Sequence, residues 1–225
     1  MQLGVERGDS SSPFDSGGSP RESVLPVHAV ILAGGRGRRL GVRKETVPLG
    51  SETFLEAHLR NWQRHCERVS VSVRDRESAV LPDSVEVIVD PPGAESVIDS
   101  IAEILSQAAP RPAWIVAVDL PLVPPALLHT FWQTHTPGTS VFGQTERGIE
   151  MLCGLYDPTA HAVIASLIER GERKLSRIAE EAPSRVLEES ALPPSAVPPL
   201  SPFFNVNTPE DLARLRRARG EGESR

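Results

Sequence analysis

The run Leu32-Ala33-Gly34-Gly35-Arg36-Gly37-Arg38-Arg39-Leu40-Gly41-Val42-Arg43-Lys44 packs four glycines and five cations into one stretch. Glycine lets a backbone turn tightly and bring its N–H groups against a phosphate chain. The cations stand out against a chain with 30 acidic and 24 basic side chains and a net charge of −6. Positive charge set against the bulk trend marks an anionic target. Two common phosphate loops are excluded by spacing. A Walker loop needs lysine directly after its last glycine, followed by Ser or Thr, but Lys44 lies three residues past Gly41 and precedes Glu45. A dinucleotide fingerprint beginning at Gly35 needs a small residue at position 40, where leucine stands.

Two further constellations accompany the loop. Asp119 follows the apolar run Trp114-Ile115-Val116-Ala117-Val118 and precedes Leu120-Pro121. An aspartate there reads in isolation as a turn residue. Beside a phosphate loop it reads better as the carboxylate of a Mg²⁺ site, since that ion is held by one or two carboxylates plus substrate phosphates. In Phe204-Asn205-Val206-Asn207-Thr208-Pro209-Glu210-Asp211, the Thr-Pro-Glu-Asp part is a helix start. Asn205 and Asn207 alternate across Val206, so an extended backbone points both amides to one side.

These groups must be held by elements that the pattern also shows. Val27 to Ala33 and Ala113 to Val118 read as strands buried on both faces. Val69 to Val73, Val85 to Asp90 and Leu152 to Tyr156 read as further strands. Helices are expected at Thr53–Cys66, where Thr53 and Glu56 form a capping box, and at Ala94–Gln107, Pro125–His135, Pro158–Arg170 and from Thr208 onward. Strand–helix alternation predicts an α/β fold, a three-layer α/β/α Rossmann-like arrangement around a mostly parallel sheet. Ligands then gather beyond the carboxyl ends of the strands, where the loop and Asp119 fall.

Composition narrows the function classes. Net negative charge argues against bulk attraction to nucleic acid or an anionic membrane, and no apolar run approaches the length of a membrane span. The two cysteines, Cys66 and Cys153, lie in apolar stretches and read as buried thiols of a cytoplasmic protein. Residues 1–26, rich in Ser, Gly and Pro, read as a disordered tail, 27–218 as one domain, and 219–225 as a polar fray.

The strand followed by Leu-Ala-Gly-Gly-x-Gly-x-Arg-Leu with a lysine close behind resembles the molybdenum cofactor guanylyltransferases. The resemblance extends to Asp119-Leu120-Pro121 and to Asn205-Val206-Asn207-Thr208-Pro209-Glu210, and so covers roughly Val27 to Leu215. It implies a nucleotide-diphospho-sugar transferase type of fold. The implied reaction is Mg²⁺-dependent transfer of GMP from GTP to the phosphate of molybdopterin or its molybdenum-loaded form, with molybdoenzyme chaperones as candidate partners. It also implies catalytic roles for Lys44, Arg39 and Asp119, the last holding the metal. Leu32, Ala33, Gly34, Gly35, Gly37, Arg39, Lys44, Ser72, Asp90 and Asp119 would then bind the nucleotide, and Asn205 and Asn207 the acceptor. Asp90 reads equally well as a turn residue before Pro91-Pro92. The backbone of Leu32 to Gly34 is expected to supply part of the recognition of the base. Rival readings are the same chemistry with a cytidine nucleotide or a phosphosugar, and a non-catalytic nucleotide-binding paralogue. Three places depart from the family pattern: Arg43 stands where an aspartate is common, Ser72-Val73-Arg74 where Asn-Ala-Asn is frequent, and Gly93-Ala94-Glu95-Ser96-Val97 where Gly-Pro-Leu-Ala-Gly is usual.

Overall fold

The computed structural model describes residues 24–35, 39–77 and 79–220. In chain order its elements are β1 (Leu25–Leu32), β2 (Pro48–Leu49), β3 (Glu52–Thr53), α1 (Phe54–His65), β4 (Cys66–Val73), β5 (Glu86–Val89), α2 (Val97–Ala108), β6 (Ala113–Ala117), α3 (Pro125–Thr134), β7 (Ser140–Thr145), β8 (Gly148–Tyr156), α4 (Ala160–Glu169), α5 (Ser176–Glu181), β9 (Ser184–Glu188) and α6 (Pro209–Ala218). A seven-stranded sheet runs β5-β4-β1-β6-β8-β7-β9, and β2 pairs with β3 in a small hairpin. The pairs β5/β4, β4/β1, β1/β6 and β7/β9 are parallel, while β8 is antiparallel to both its neighbours. This is the expected mostly parallel α/β/α arrangement.

Two apolar layers sandwich the sheet, and strand alternation divides the side chains between them. Val27, Ala29 and Ile31 of β1, with Trp114 and Val116 of β6, pack among α1 and α3 residues on one face. Trp114 meets Trp62 and Phe131 edge to face, each at 5.6 Å between ring centroids. Val30, Ala113 and Ile115 face the other way, onto Ile98, Ile101 and Ile104 of α2 and Ile164 and Leu167 of α4. Helix starts follow the sequence cues. Thr53 accepts from the Glu56 N–H while Glu56 accepts from the Thr53 N–H, and Thr208 with Asp211 repeats the arrangement on α6.

The differences from expectation lie mostly in the second half of the chain. β1 starts at Leu25, inside the stretch expected to be tail, because Leu25 is buried and pairs with Cys66. β8 is longer than Leu152–Tyr156 and closes a hairpin with β7 through Glu146-Arg147, a turn without the usual Asn-Gly or Asp-Gly signal. β9 has no counterpart among the expected strands; it is a short, half-exposed edge strand whose residues show no run of buried positions. α2 begins at Val97 rather than Ala94, since Asp99 accepts from the backbone N–H groups of Glu95 and Ser96 at 3.1 and 2.9 Å. Both cysteines are free and buried. Among the described residues, no helix is long and apolar enough to cross a membrane.

Candidate active site

Strand order reverses between β1 and β6, which places the segments after both strands on either side of one crevice. Backbone bonds tie the strand ends together there. The Ala33 N–H donates to Ser72 O at 2.8 Å, Val118 N–H to Leu32 O at 3.1 Å, and Asp90 N–H to Val73 O at 2.9 Å. Beyond β1 the chain turns at Gly41, whose φ of +75° suits glycine. It then forms a short 3₁₀ turn at Lys44–Thr46 that returns Lys44 to the crevice.

A cavity of about 240 Å³ opens at this point. Of the residues singled out from the sequence, Leu32, Gly34, Gly35, Lys44, Ser72, Asp90 and Asp119 line it. Ala33 is buried beneath. Arg39 is exposed and is not part of the lining. Gly37, with Arg36 and Arg38, lies outside the described residues. The expectation that the Leu32–Gly34 main chain reads the base is narrowed by the backbone bonds, because the Ala33 N–H is already spent on Ser72. Sequence reasoning missed Arg74, Ser96, Ser100 and Leu152, all of which line the cavity. Ser96 and Ser100 sit one turn apart at the start of α2, a spacing that is readable once the helix start is placed at Ser96.

At the mouth, the Lys44 ammonium donates to both Asp119 Oδ2 and Asn207 Oδ1. Three segments separated by 75 and 163 positions along the chain therefore meet at one nitrogen. Val206 fixes the third of these by donating its N–H to Asp119 O at 2.9 Å. Asp119 is only 9% exposed, and its Oδ1 is buried without a hydrogen-bond partner among the described residues, as is Asn205 Oδ1. No group of three His, Cys, Asp or Glu side chains gathers among the described residues. An oxygen donor of this kind suits Mg²⁺ held by one carboxylate and completed by phosphate and water oxygens.

The departures from the family pattern have local explanations. Arg43 forms an ion pair with the buried Glu45 at 3.3 Å, so the lysine keeps a carboxylate beside it on the following residue. Glu95 is directed to Arg173 at 3.6 Å and does not line the cavity. Asp90 is half-buried, and burial lifts its carboxyl above the ordinary value against the opposing effects of the Ser100 hydroxyl and Arg74.

A twisted, mostly parallel sheet with a glycine-rich cationic loop and an aspartate at its switch point defines a nucleotidyltransferase of the nucleotide-diphospho-sugar transferase fold. The model of the MobA-like NTP transferase domain matches residues 29–186, and the chain belongs to that family. It is 28% identical over 200 residues to the molybdenum cofactor guanylyltransferase of Rhizobium johnstonii, across 85% of this chain and 92% of that one. It is 27% identical to a probable molybdenum cofactor guanylyltransferase of Methanosarcina mazei, across 83% and 88%. Among solved structures, molybdopterin-guanine dinucleotide biosynthesis protein A from Archaeoglobus fulgidus superposes with a TM-score of 0.73 at 23% identity, covering 86% of this chain and 99% of that one.

Proposed function

We propose that the protein transfers GMP from GTP to the terminal phosphate of molybdopterin, metal-free or molybdenum-loaded, and releases pyrophosphate. The observation that carries this reading is the meeting of Lys44, Asp119 and Asn207 at one point. A cavity of about 240 Å³ opens at that point with Lys44 and Asp119 in its lining, and Asn207 joins it through Lys44. The names of the relatives support the choice of guanine nucleotide and of acceptor.

In this reading an oxygen of the acceptor phosphate bonds to the α-phosphorus while the bridge to the β-phosphate breaks, and pyrophosphate leaves with that electron pair. An anionic phosphate needs no base to activate it. The task of the chain is to hold two anions in line. The Gly34 and Gly35 backbone and the Lys44 ammonium cradle the triphosphate, with Arg39 reaching it from the loop. Asp119, whose Oδ1 is buried without a hydrogen-bond partner among the described residues, would hold Mg²⁺, and the ion would supply positive charge against the repulsion between the two anions. Asn207 and Asn205 present amides to the acceptor. Asp90 and Ser100 face the base, where a carboxylate can accept from the N1–H and 2-amino donors of guanine, and Ser72 adds one short-range hydrogen bond.

Pyrophosphate release in the presence of Mg²⁺ and molybdopterin, with GTP, ATP and CTP in competition, tests the reading. GTP is expected to be preferred. Ser72 in place of an asparagine should weaken that preference by about 1 kcal/mol, the net value of one hydrogen bond. Preference for CTP, or no release with any nucleotide, overturns it.

A further inference from the structure

A second cavity, of about 630 Å³, lies between the β7–β8 hairpin, the end of β9 and the stretch Ser201–Phe204. It adjoins the reacting centre along two paths. On β8, Glu150 lines this cavity and Leu152, two residues further on, lines the nucleotide cavity, about 7 Å along an extended strand. In the carboxyl-terminal segment, Phe203 and Phe204 line the larger cavity, and Asn207, three residues past Phe204, is bonded to Lys44.

The lining is unlike that of a phosphate site. Glu146, Glu150, Glu188 and Glu189 face it against two cations, Arg147 and Arg214. Arg214 is moreover engaged over the Phe204 ring, 5.1 Å from its centroid. Such a surface disfavours an anion and favours a neutral group rich in N–H donors. Glu150 is set up as its reader. The Thr145 hydroxyl donates to Glu150 Oε1 at 3.1 Å and fixes the carboxylate. Thr145 is itself held by the Arg147 N–H at 3.1 Å. Burial lifts the Glu150 carboxyl above its ordinary value, which marks a partly dehydrated group whose hydrogen bonds to a ligand are not weakened by water. A carboxylate accepts two parallel bonds from adjacent donors, and the volume falls within the range of small-molecule sites, roughly 300–1,000 Å³.

We propose that this cavity holds the heterocycle of the acceptor and that Glu150 reads the adjacent ring N–H and amino donors of a 2-amino-4-oxopyrimidine edge. The proposal rests on the transfer reading above, in which the acceptor carries a pterin. The acceptor phosphate then lies toward Lys44, Asp119 and Asn207, and its ring system extends along β8 into the acidic cavity. Guanine presents the same edge, so the test keeps the nucleotide cavity filled.

The probe is 6-hydroxymethylpterin, titrated by its own fluorescence onto the full chain with saturating GTP present. The wild-type protein is expected to bind it. Glu150→Gln should weaken binding at least tenfold, because an amide offers one acceptor where two are needed. Glu150→Asp should recover part of the loss, and melting temperatures and GTP binding should stay at wild-type values in both variants. Equal affinity in wild type and Glu150→Gln, or no binding by wild type, overturns the proposal. Pyrophosphate release from GTP with molybdopterin is read separately. If it proceeds with an unchanged acceptor KM in Glu150→Gln, the cavity assignment fails while the transfer reading stands; if wild type releases none, the transfer reading itself fails.

Discussion

Replacing Lys44 with methionine removes one partner from a nearly buried ion pair and leaves the other behind. The Lys44 and Asp119 side chains are 13% and 12% exposed, and Asp119 Oδ1 already lacks a partner among the described residues. Breaking one side of a fully buried pair costs about 3–5 kcal/mol. Residual exposure at both groups brings the expectation here down to about 2–3 kcal/mol. For a domain of this size that corresponds to a melting temperature lower by about 4–12 °C. The loss should depend on divalent metal, because Mg²⁺ on the orphaned carboxylate replaces the missing positive charge. At a hundred times its dissociation constant a ligand returns about 2.7 kcal/mol, enough to restore the variant. Thermal unfolding in EDTA and then with added MgCl₂ measures this. The wild type should gain less from the metal, since its ammonium competes for the same carboxylate, and Lys44→Met/Asp119→Asn should melt above Lys44→Met in EDTA. An unchanged melting temperature of Lys44→Met in EDTA, or an equal gain from metal in all three proteins, refutes the reasoning.

A Cβ on Gly143 would collide with the ring of Phe203, lying 2.9 Å from two of its carbons. Gly143→Ala should therefore cost about 1–3 kcal/mol by overpacking. In urea titrations Gly143→Ala/Phe203→Ala should be more stable than the sum of its single variants by about 1 kcal/mol or more, and strict additivity counts against the contact. The buried imidazoles of His28 and His58 are each held down to about 4, chiefly by desolvation. As pH falls from about 6.5 toward 4 the unfolded chain takes up these protons first, so stability present above that window is lost within it, at up to about 1.4 kcal/mol per pH unit for each histidine. Asp90 and Glu150, both raised by burial, oppose this at the acid end. Urea midpoints that do not move between about pH 7 and pH 5 contradict the prediction. Finally, Asp119→Asn should abolish most pyrophosphate release while GTP binding persists, and wild-type turnover in that variant removes Asp119 from the reacting centre.

How much of the molecule is readable from the sequence differs sharply between the two halves of the chain. β6 is a continuous apolar run and β1 one interrupted by His28, and the loop and aspartate after them announce the switch point directly. Lys44 and Asp119 are each identifiable, but not their contact. Read as a solvent-facing crevice, the sequence implies that changing Lys44 alters rate alone; the ion pair adds stability to what it controls. The cavity-lining Ser96 and Ser100 are hidden because Ala94, Glu95 and Ser96 look as helical as the residues of α2 itself, and only the backbone bonds to Asp99 place the cap.

In the second half, β7, α5 and β9 have no counterpart in the sequence reading, and the missed β7 contributes to the lining of the larger cavity. β9 is a parallel edge strand with little burial, and the turn at Glu146-Arg147 carries no special backbone requirement in its two central residues. The β7–β8 register also shifts between Phe142 and Gly143, and such irregularities redirect side chains without a period-2 signature. Gly143 shows why the pattern looks weak. In a strand its missing side chain reads as a defect, yet the space it leaves is filled by the ring of Phe203 from a segment 60 residues away. That ring anchors the approach to Asn205 and Asn207. The glycine is therefore a long-range instruction, placing the segment that carries Asn205 and Asn207, and it becomes readable only when both segments are seen together.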